Sequence, residues 1–331
     1  MTLAPDVSAD LLRIDAEQAT ADIVEAFESM VVRDMRKRGV VLGLSGGVDS
    51  SVCAALCARA LGPERVLGIL MPERESAPDS LELGRLAAES IGIPTIVEDI
   101  TATLEAAGCY QRRDDAIRTL IPEYAAGWRS KVVLPSVVGS DQYRIMSVFA
   151  QAPDGTQRKA RVNSAMYHEL IAATSFKQRT RKMMEYYHAD RLNYAVIGTP
   201  NRLEYDQGFF VKNGDGAADF KPIAHLYKSQ VYQLAEFLGV PETIRTRPPT
   251  TDTYSLPQTQ EEFYFSLPYD KMDLCLYARN HGITAEELAP ALGLTEQQVE
   301  RVFRDIDSKR RASHYLHLRP QLVAEVTEIV D

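Results

Sequence analysis

Apolar residues in the first hundred positions alternate between two spacings. Residues 16–38 carry apolar side chains at the intervals of an α-helix, whereas residues 40–44 form a short uncharged run typical of a buried strand. The alternation predicts further elements, a helix at 50–61, a strand at 65–71, a helix at 78–91 and a strand at 93–100. Short connections between such elements predict a doubly wound, mainly parallel, Rossmann-like α/β sheet.

A different pattern interrupts this alternation. Residues 112–124 suit a helix, and residues 131–164 consist of extended pieces around the turn sequence Ala-Pro-Asp-Gly at 152–155. We interpret residues 111–163 as a small β insertion in the α/β fold.

The rest of the chain returns to α/β form and then becomes helical. A long helix is predicted at about 164–189, a strand at 194–198, and a proline-rich loop at 246–262. The predicted organisation is an α/β domain of residues 1–110 and 164–268, the β insertion of 111–163, and a helical C-terminal extension of 269–331.

Composition narrows the class of protein. The 331 residues include no apolar run long enough for a membrane span, and residues 1–10 lack the basic and apolar regions of a signal peptide. The net charge of −9 argues against a nucleic-acid partner. The four cysteines form no Cys-x-x-Cys pair, which disfavours disulfide scaffolds and zinc ribbons and predicts a cytoplasmic protein.

The chemistry concentrates in one heptapeptide, Ser-Gly-Gly-Val-Asp-Ser-Ser at 45–51, directly after the first strand. A glycine-rich turn that opens a helix directs backbone N–H groups and the positive helix end at one point, which favours a phosphate. No lysine follows the glycines, so this is not a P-loop of the G-x-x-x-x-G-K-[ST] type. Asp49 would repel a phosphate, so the turn makes chemical sense if Asp49 holds Mg²⁺; the alternative is a tight turn with a helix-capping aspartate.

This heptapeptide resembles the pyrophosphate loop of the N-type ATP pyrophosphatases, and later segments are similar to those of NAD synthetases. The matching segments are 177–181, 197–204, 208–219, 222–223, 226–228 and 249–252. The resemblance extends over about 40–100 and 177–275, and residues 101–176 are expected not to share it. Asn213 stands where the family often has tyrosine, and Ser308 stands where it has histidine.

The resemblance implies roles for individual residues. Asp49 and Glu204 would be Mg²⁺ ligands, Asp215 would receive ammonium, and Asp215 and Lys228 would be the catalytic residues. The ATP-binding residues would be Ser45, Gly46, Gly47, Asp49, Ser50, Ser51, Met71, Thr199, Lys228 and Thr250. The residues that bind the acid substrate would be Arg179, Lys212, Asp219 and Lys309.

The implied activity is an ATP-dependent amide ligation, in which the carboxylate of deamido-NAD is adenylated and ammonia then displaces AMP. Two alternatives stay open: the same chemistry on another carboxylate, and a nucleotide-binding module without turnover. Residue 2 is threonine and about 39 residues precede the first strand, so we expect no glutaminase site and free ammonia as the nitrogen source. The resemblance also implies a homodimer.

Overall fold

The computed structural model describes residues 7–133, 146–249, 254–256, 258, 264–265, 267–324 and 326. Its strands are β1 (Val40–Gly43), β2 (Val66–Leu70), β3 (Thr95–Val97), β4 (Arg129–Val133), β5 (Ser147–Gln151), β6 (Gln157–Arg161) and β7 (Ala195–Val196). Its α-helices are α1 (Ala16–Ala26), α2 (Val48–Leu61), α3 (Ser80–Ile91), α4 (Thr101–Ala106), α5 (Cys109–Leu120), α6 (Ser164–Leu192), α7 (Arg202–Gln207), α8 (Lys228–Phe237), α9 (Glu242–Arg245), α10 (Tyr269–His281), α11 (Ala285–Leu292) and α12 (Glu296–His317).

Four of the strands form a parallel sheet in the order β3-β2-β1-β7. Val41 pairs with Leu67 of β2, and Val40 pairs with Ala195 of β7. Strand β1 has a neighbouring strand on both edges, and its residues Val40, Val41 and Leu42 are buried. Burial of both faces explains why its apolar run is continuous instead of alternating with polar residues. The predicted parallel α/β sheet is confirmed.

Helices cover both faces of this sheet. On one face Leu42 and Leu70 pack in a core that includes Val52 of α2 and Val231 of α8. On the other face Val41, Leu67, Ile69 and Val196 pack with Ala189 of α6. The side chains of one strand therefore enter two separate cores, as a doubly wound sheet requires.

The predicted β insertion, residues 111–163, contains a second sheet. Strands β4, β5 and β6 are antiparallel, and the β5–β6 hairpin turns at the predicted Ala-Pro-Asp-Gly sequence. Helix α5 lies three to four residues earlier than predicted, because Gly108 starts it in the left-handed region and Ile121 precedes a proline that disfavours further helix. The predicted extended residues 134–145 lie outside the described residues.

The C-terminal region is helical, as predicted, and its three helices share an apolar core. Met272 and Leu276 of α10 pack there with Leu288 of α11 and Val302 of α12. Leu203 of α7 belongs to the same core, so α7 is held between the parallel sheet and the C-terminal helices. The division into three domains stays a prediction. Among the described residues, no helix is long and apolar enough to span a bilayer.

The end of α7 meets α12 at a glycine. Gly208 has φ +70°, and a Cβ atom there would lie 2.1 Å from the Cβ of Ser313. At Gly239, with φ +71°, an added Cβ would have no heavy atom within 4 Å among the described residues, its chain neighbours aside. The two glycines therefore share a left-handed backbone, but only Gly208 has a close neighbour.

We expect Gly208→Ala to lower the free energy of unfolding by about 2–4 kcal/mol, because it combines left-handed strain with a steric clash. Gly239→Ala, the matched control, should cost only the strain, about 1 kcal/mol. Urea denaturation of both variants measures the difference. Equal losses would contradict the close approach of α7 and α12.

Candidate active site

A cavity of about 580 Å³ lies at the carboxyl ends of the parallel strands, where α/β sheets bind their ligands. Three loops line it, which follow β1, β2 and β7. Among the residues predicted from the sequence, the lining includes Ser45, Gly47, Asp49, Ser50, Met71, Thr199, Glu204 and Asp215. The structure therefore brings eight of the predicted residues to one surface.

The turn between β1 and α2 has the geometry of an anion site. Gly46 has φ +75°, and an added Cβ would lie 2.6 Å from the Cβ of Leu83, so a side chain does not fit there. Gly47 caps α2 and has no side chain that could accept a hydrogen bond from the helix N-terminus. The hydroxyl oxygens of Ser45 and Ser50 lie 3.2 Å apart at the cavity.

Two residues of the heptapeptide that are predicted to bind ATP do not line the cavity. Ser51 is fully buried, and its hydroxyl donates to the carbonyl of Gly47 at 2.9 Å. Gly46 lies behind the lining surface, against Leu83. Their contribution to the site is the shape of the turn.

Asp49 lies at the centre of a buried polar network. The Lys228 ammonium group donates to one Asp49 oxygen, and the Asn201 amide donates to the other at 3.3 Å. Asn201 also begins α7 in a capping box, in which its backbone N–H donates to the Glu204 carboxylate at 3.2 Å and its side chain accepts from the Glu204 N–H at 3.1 Å. The starts of α2, α7 and α8 thus meet at one point.

The charged groups of this network shift one another's pKa values. Burial, together with the nearby Asp49 carboxylate, raises the pKa of Glu204 to about 8. Burial alone would lower the pKa of Lys228, which is 1% exposed, but the Asp49 and Glu204 carboxylates outweigh burial and raise it. Lys228 therefore stays charged, and two carboxylates share a site in which a single lysine compensates them.

The donor chemistry suits a hard divalent cation. Within the described ranges, no group of three or more His, Cys, Asp or Glu residues is arranged to hold a metal. A cation at Asp49 and Glu204 would therefore depend on water and phosphate oxygens for its other ligands, which is the usual situation of Mg²⁺ in nucleotide sites.

Asp215 lies at a second position on the cavity wall. Its carboxylate accepts from the backbone N–H of Val211 at 2.7 Å. Burial raises its pKa, although that hydrogen bond and the charge of Lys182 act in the opposite direction. A partly buried carboxylate with a raised pKa is suited to accept a proton at neutral pH.

Sequence reasoning missed a pair of charged residues on the cavity floor. Lys182 and Glu185 of α6 both line the cavity, are both buried, and lie 2.5 Å apart through Nζ and Oε2. Their spacing of three residues is also that of an ordinary surface ion pair, so the sequence alone carries no sign that they are buried.

The four residues predicted to bind the acid substrate do not line the cavity of the described structure. Arg179 donates to the backbone carbonyl of Lys212 at 3.3 Å, so these two are neighbours. Asp219 accepts from the backbone N–H of Val196 at 2.8 Å and thereby supports the end of β7. Lys309 donates to the carbonyl of Tyr264, a lining residue, at 2.7 Å. Thr250 lies outside the described residues.

A doubly wound sheet with a phosphate-binding turn at its first crossover defines an α/β nucleotide-binding protein. The sequence matches the model of the NAD synthase family over residues 20–122 and 138–314, and the chain belongs to that family. The match includes most of 101–176, so the expectation that this region lies outside the resemblance is wrong.

Individual relatives agree with this assignment. The chain is 60% identical over 334 residues to the NH(3)-dependent NAD(+) synthetase of Rhizobium meliloti, with 99% of this chain and 100% of the relative covered. It is 61% identical over 320 residues to the protein of that name from Rhizobium rhizogenes, with 97% and 96% covered. A solved NH3-dependent NAD synthetase from Campylobacter jejuni shares the fold, with a TM-score of 0.62, 22% identity, and 94% and 100% covered.

Helix α8, which carries Lys228, is anchored by a buried aspartate. Asp273 of α10 accepts from the backbone N–H of Ser229 at 2.7 Å. Burial raises the pKa of Asp273 to about 6, although this hydrogen bond acts in the opposite direction. Because the folded protein holds the Asp273 proton more tightly than the unfolded chain, this group's contribution to stability is lost as the pH rises through about 6.

We expect Asp273→Asn to remove that loss, since asparagine accepts the same hydrogen bond without ionising. Between pH 4 and pH 7 the wild type should lose about 1–3 kcal/mol more unfolding free energy than the variant. Urea denaturation across this range measures both profiles.

Asp307→Asn is the matched control, because a hydrogen bond from Arg279 lowers the pKa of Asp307. Asp307 is therefore largely ionised from pH 4 to pH 7 in both the folded and the unfolded protein, so the profile of Asp307→Asn should run parallel to that of the wild type. Parallel profiles for the wild type and Asp273→Asn would contradict the prediction.

Proposed function

We propose that the chain is an ammonia-dependent NAD⁺ synthetase, a ligase that adenylates the carboxylate of deamido-NAD and aminates it to give NAD, AMP and pyrophosphate. The close relatives of full length carry that name. The observation that carries the proposal is the meeting of Asp49, Lys228 and the α7 capping box at the N-terminus of α2.

The chemistry requires activation of a poor electrophile. An oxygen of the substrate carboxylate attacks the α-phosphorus of ATP, pyrophosphate leaves, and an acyl adenylate forms. Ammonia then attacks the carbonyl carbon, AMP leaves with the bonding electron pair, and a base takes the extra proton. No protein nucleophile takes part, so catalysis consists of positioning and charge stabilisation.

The turn after β1 supplies the phosphate site in this proposal. Ser45 and Ser50 present hydroxyls, and the uncapped start of α2 presents N–H groups to the β- and γ-phosphates. Lys228 is buried and charged beside this turn, so it stabilises the negative charge that develops on the leaving pyrophosphate.

Asp49 and Glu204 would hold Mg²⁺. The raised pKa of Glu204 supports this assignment, because it reports two carboxylates in one buried site with too little positive charge. When bound there, Mg²⁺ would neutralise these carboxylates and the charge of the phosphates.

Asp215 is the proposed proton acceptor for ammonium. Asp215 is a carboxylate on the cavity wall with a raised pKa, and it lies outside the phosphate turn that contains Asp49. Lys182 and Glu185 line the same cavity. Asp49, Glu204 and Lys228 are all present in the chain, which favours an enzyme over a module that binds nucleotide without turnover.

We also propose a cytoplasmic homodimer. All four cysteines are buried and free, which suits a reducing compartment. Arg179, Met183 and Tyr187 lie on one exposed face of α6, and the two apolar side chains are 53% and 60% exposed. An interface on this face would bring Arg179 of each copy to the partner, and a monomeric mass in solution would contradict it.

The purified chain should form NAD from ATP, Mg²⁺, deamido-NAD and an ammonium salt, with AMP and pyrophosphate in equal amounts. Glutamine should not replace ammonium. Both statements are tested by measuring the steady-state rate of NAD formation and by quantifying AMP by chromatography. AMP release with another carboxylate but not with deamido-NAD would favour the alternative substrate, and ATP binding without AMP would favour the module.

We expect Asp49→Asn to lower AMP formation by at least about a hundredfold, because the variant loses both the cation ligand and the charge partner of Lys228. Its thermal unfolding should still be cooperative. Asp22→Asn, the same chemical change on the exposed surface of α1, should leave turnover unchanged. Near-normal turnover by Asp49→Asn would remove the proposed metal site.

A further inference from the structure

The loop after β2 is fixed by a buried ionic network that the mechanism above does not use. The loop residues Met71, Pro72, Glu73, Ser76, Ala77 and Pro78 form one wall of the cavity. The side chains that hold this wall from behind, here named the Glu73 network, are Glu73, Glu75, Tyr110, Arg113 and Lys177.

Lys177 of α6 is the centre of the network. Its ammonium group lies 2.8 Å from the Glu73 carboxylate and 2.8 Å from the Glu75 carboxylate. From α5, the Tyr110 hydroxyl donates to Glu73 at 2.6 Å and Arg113 donates to Glu75 at 2.5 Å. One loop is therefore bound to two helices through four charged or charge-assisted contacts.

The network is buried and balanced in charge. The side chains of Lys177, Glu73, Arg113 and Glu75 are 2%, 0%, 4% and 10% exposed. Burial alone would raise the pKa of Glu75, but Arg113 and Lys177 outweigh burial and lower it, so this carboxylate is ionised. A buried ion pair adds little stability relative to apolar residues, and its best-attested use is to specify one arrangement of the chain.

The backbone transmits this arrangement to the cavity. The N–H of Glu73 donates to the Ser76 hydroxyl at 3.1 Å, and the N–H of Ser76 donates to the Glu73 carbonyl at 2.9 Å. This closed turn leaves little independent freedom between the residues that are anchored and those that line the cavity. The position of the wall is thus set through Glu73, which is part of it, and Glu75, by side chains of α5 and α6 that lie outside the lining.

We propose that the Glu73 network positions the loop after β2 for ATP, with Lys177 as its central positioning residue; this inference rests on the proposed function. The phosphate turn after β1 and the wall after β2 lie on adjacent strands, so a nucleotide with its phosphates at Ser45 and Ser50 extends along this wall. Disturbing the network should therefore weaken ATP binding while leaving Asp49, Lys228 and Asp215, and with them the chemical step, in place.

The test is the charge-balanced double variant Glu73→Gln/Lys177→Met. It removes one negative and one positive charge and leaves the Arg113–Glu75 pair, so no buried charge is left without a partner. We expect the KM for ATP to rise at least about tenfold, with kcat at saturating ATP within about threefold of the wild type. Thermal unfolding establishes that the variant is folded.

Two further variants make the result specific. Tyr110→Phe removes only the hydroxyl that donates to Glu73 and should raise the KM for ATP by a smaller factor. Arg279→Met/Asp307→Asn is the matched control, because it removes an ion pair of 2.8 Å between α10 and α12 by the same kind of double change, and it should leave the KM for ATP unchanged.

An unchanged KM for ATP in the folded double variant would overturn the proposal, and so would a fall in kcat alone. If the double variant does not fold, Tyr110→Phe decides by the same criterion. If the wild type makes no NAD, the proposed function fails separately, and calorimetric binding of ATP to the wild type and the variants still tests the network.

Discussion

The contact between Lys228 and Asp49 is the constraint on which the rest of the site depends. Both groups lie in the first turns of helices, and the lysine is almost completely buried. Removing a charge from water costs several kcal/mol, and this cost is offset only where the partner is held in good geometry. The parallel sheet provides that geometry, because crossovers from β1 and β7 bring α2, α7 and α8 to the same edge.

This contact also defines what the protein can bind. With Lys228 on Asp49, the carboxylate in the phosphate turn is neutralised and the turn does not repel an anion. Bound phosphates and a cation would divide the pair differently, with the lysine directed to phosphate and Asp49 to the cation. Burial and the nearby Asp49 carboxylate raise the pKa of Glu204, and one lysine compensates two carboxylates. The site would therefore accommodate additional positive charge, which Mg²⁺ bound with a nucleotide would supply.

The sequence predicted what depends on neighbouring residues. The strand at 40–43, the glycine turn and α2 follow from local spacing, and the hairpin follows from its turn residues. Contacts between residues that are far apart in the sequence cannot be predicted from local spacing. Lys182 and Glu185 have the spacing of a surface pair, and Glu73 meets Lys177 across 104 residues of sequence. Helix α5 begins earlier than its predicted start because Gly108, in the left-handed region, precedes its first residue.

Helix α6 explains why these two groups of buried charges occur together. Lys177, Lys182 and Glu185 lie on the face of its 29 residues that is turned toward the sheet ends, whereas Arg179 lies on the exposed face. A helix with charges on both faces has no strong apolar stripe to hold it in place. Its inner charges are paired: Lys177 contacts Glu73 and Glu75 of the loop after β2, and Lys182 contacts Glu185. Ala189 packs in the apolar core with Val41 and Val196 of the sheet. The register of α6 on the sheet is therefore set by polar and apolar contacts together, and a slip of the helix would leave several charges buried without partners.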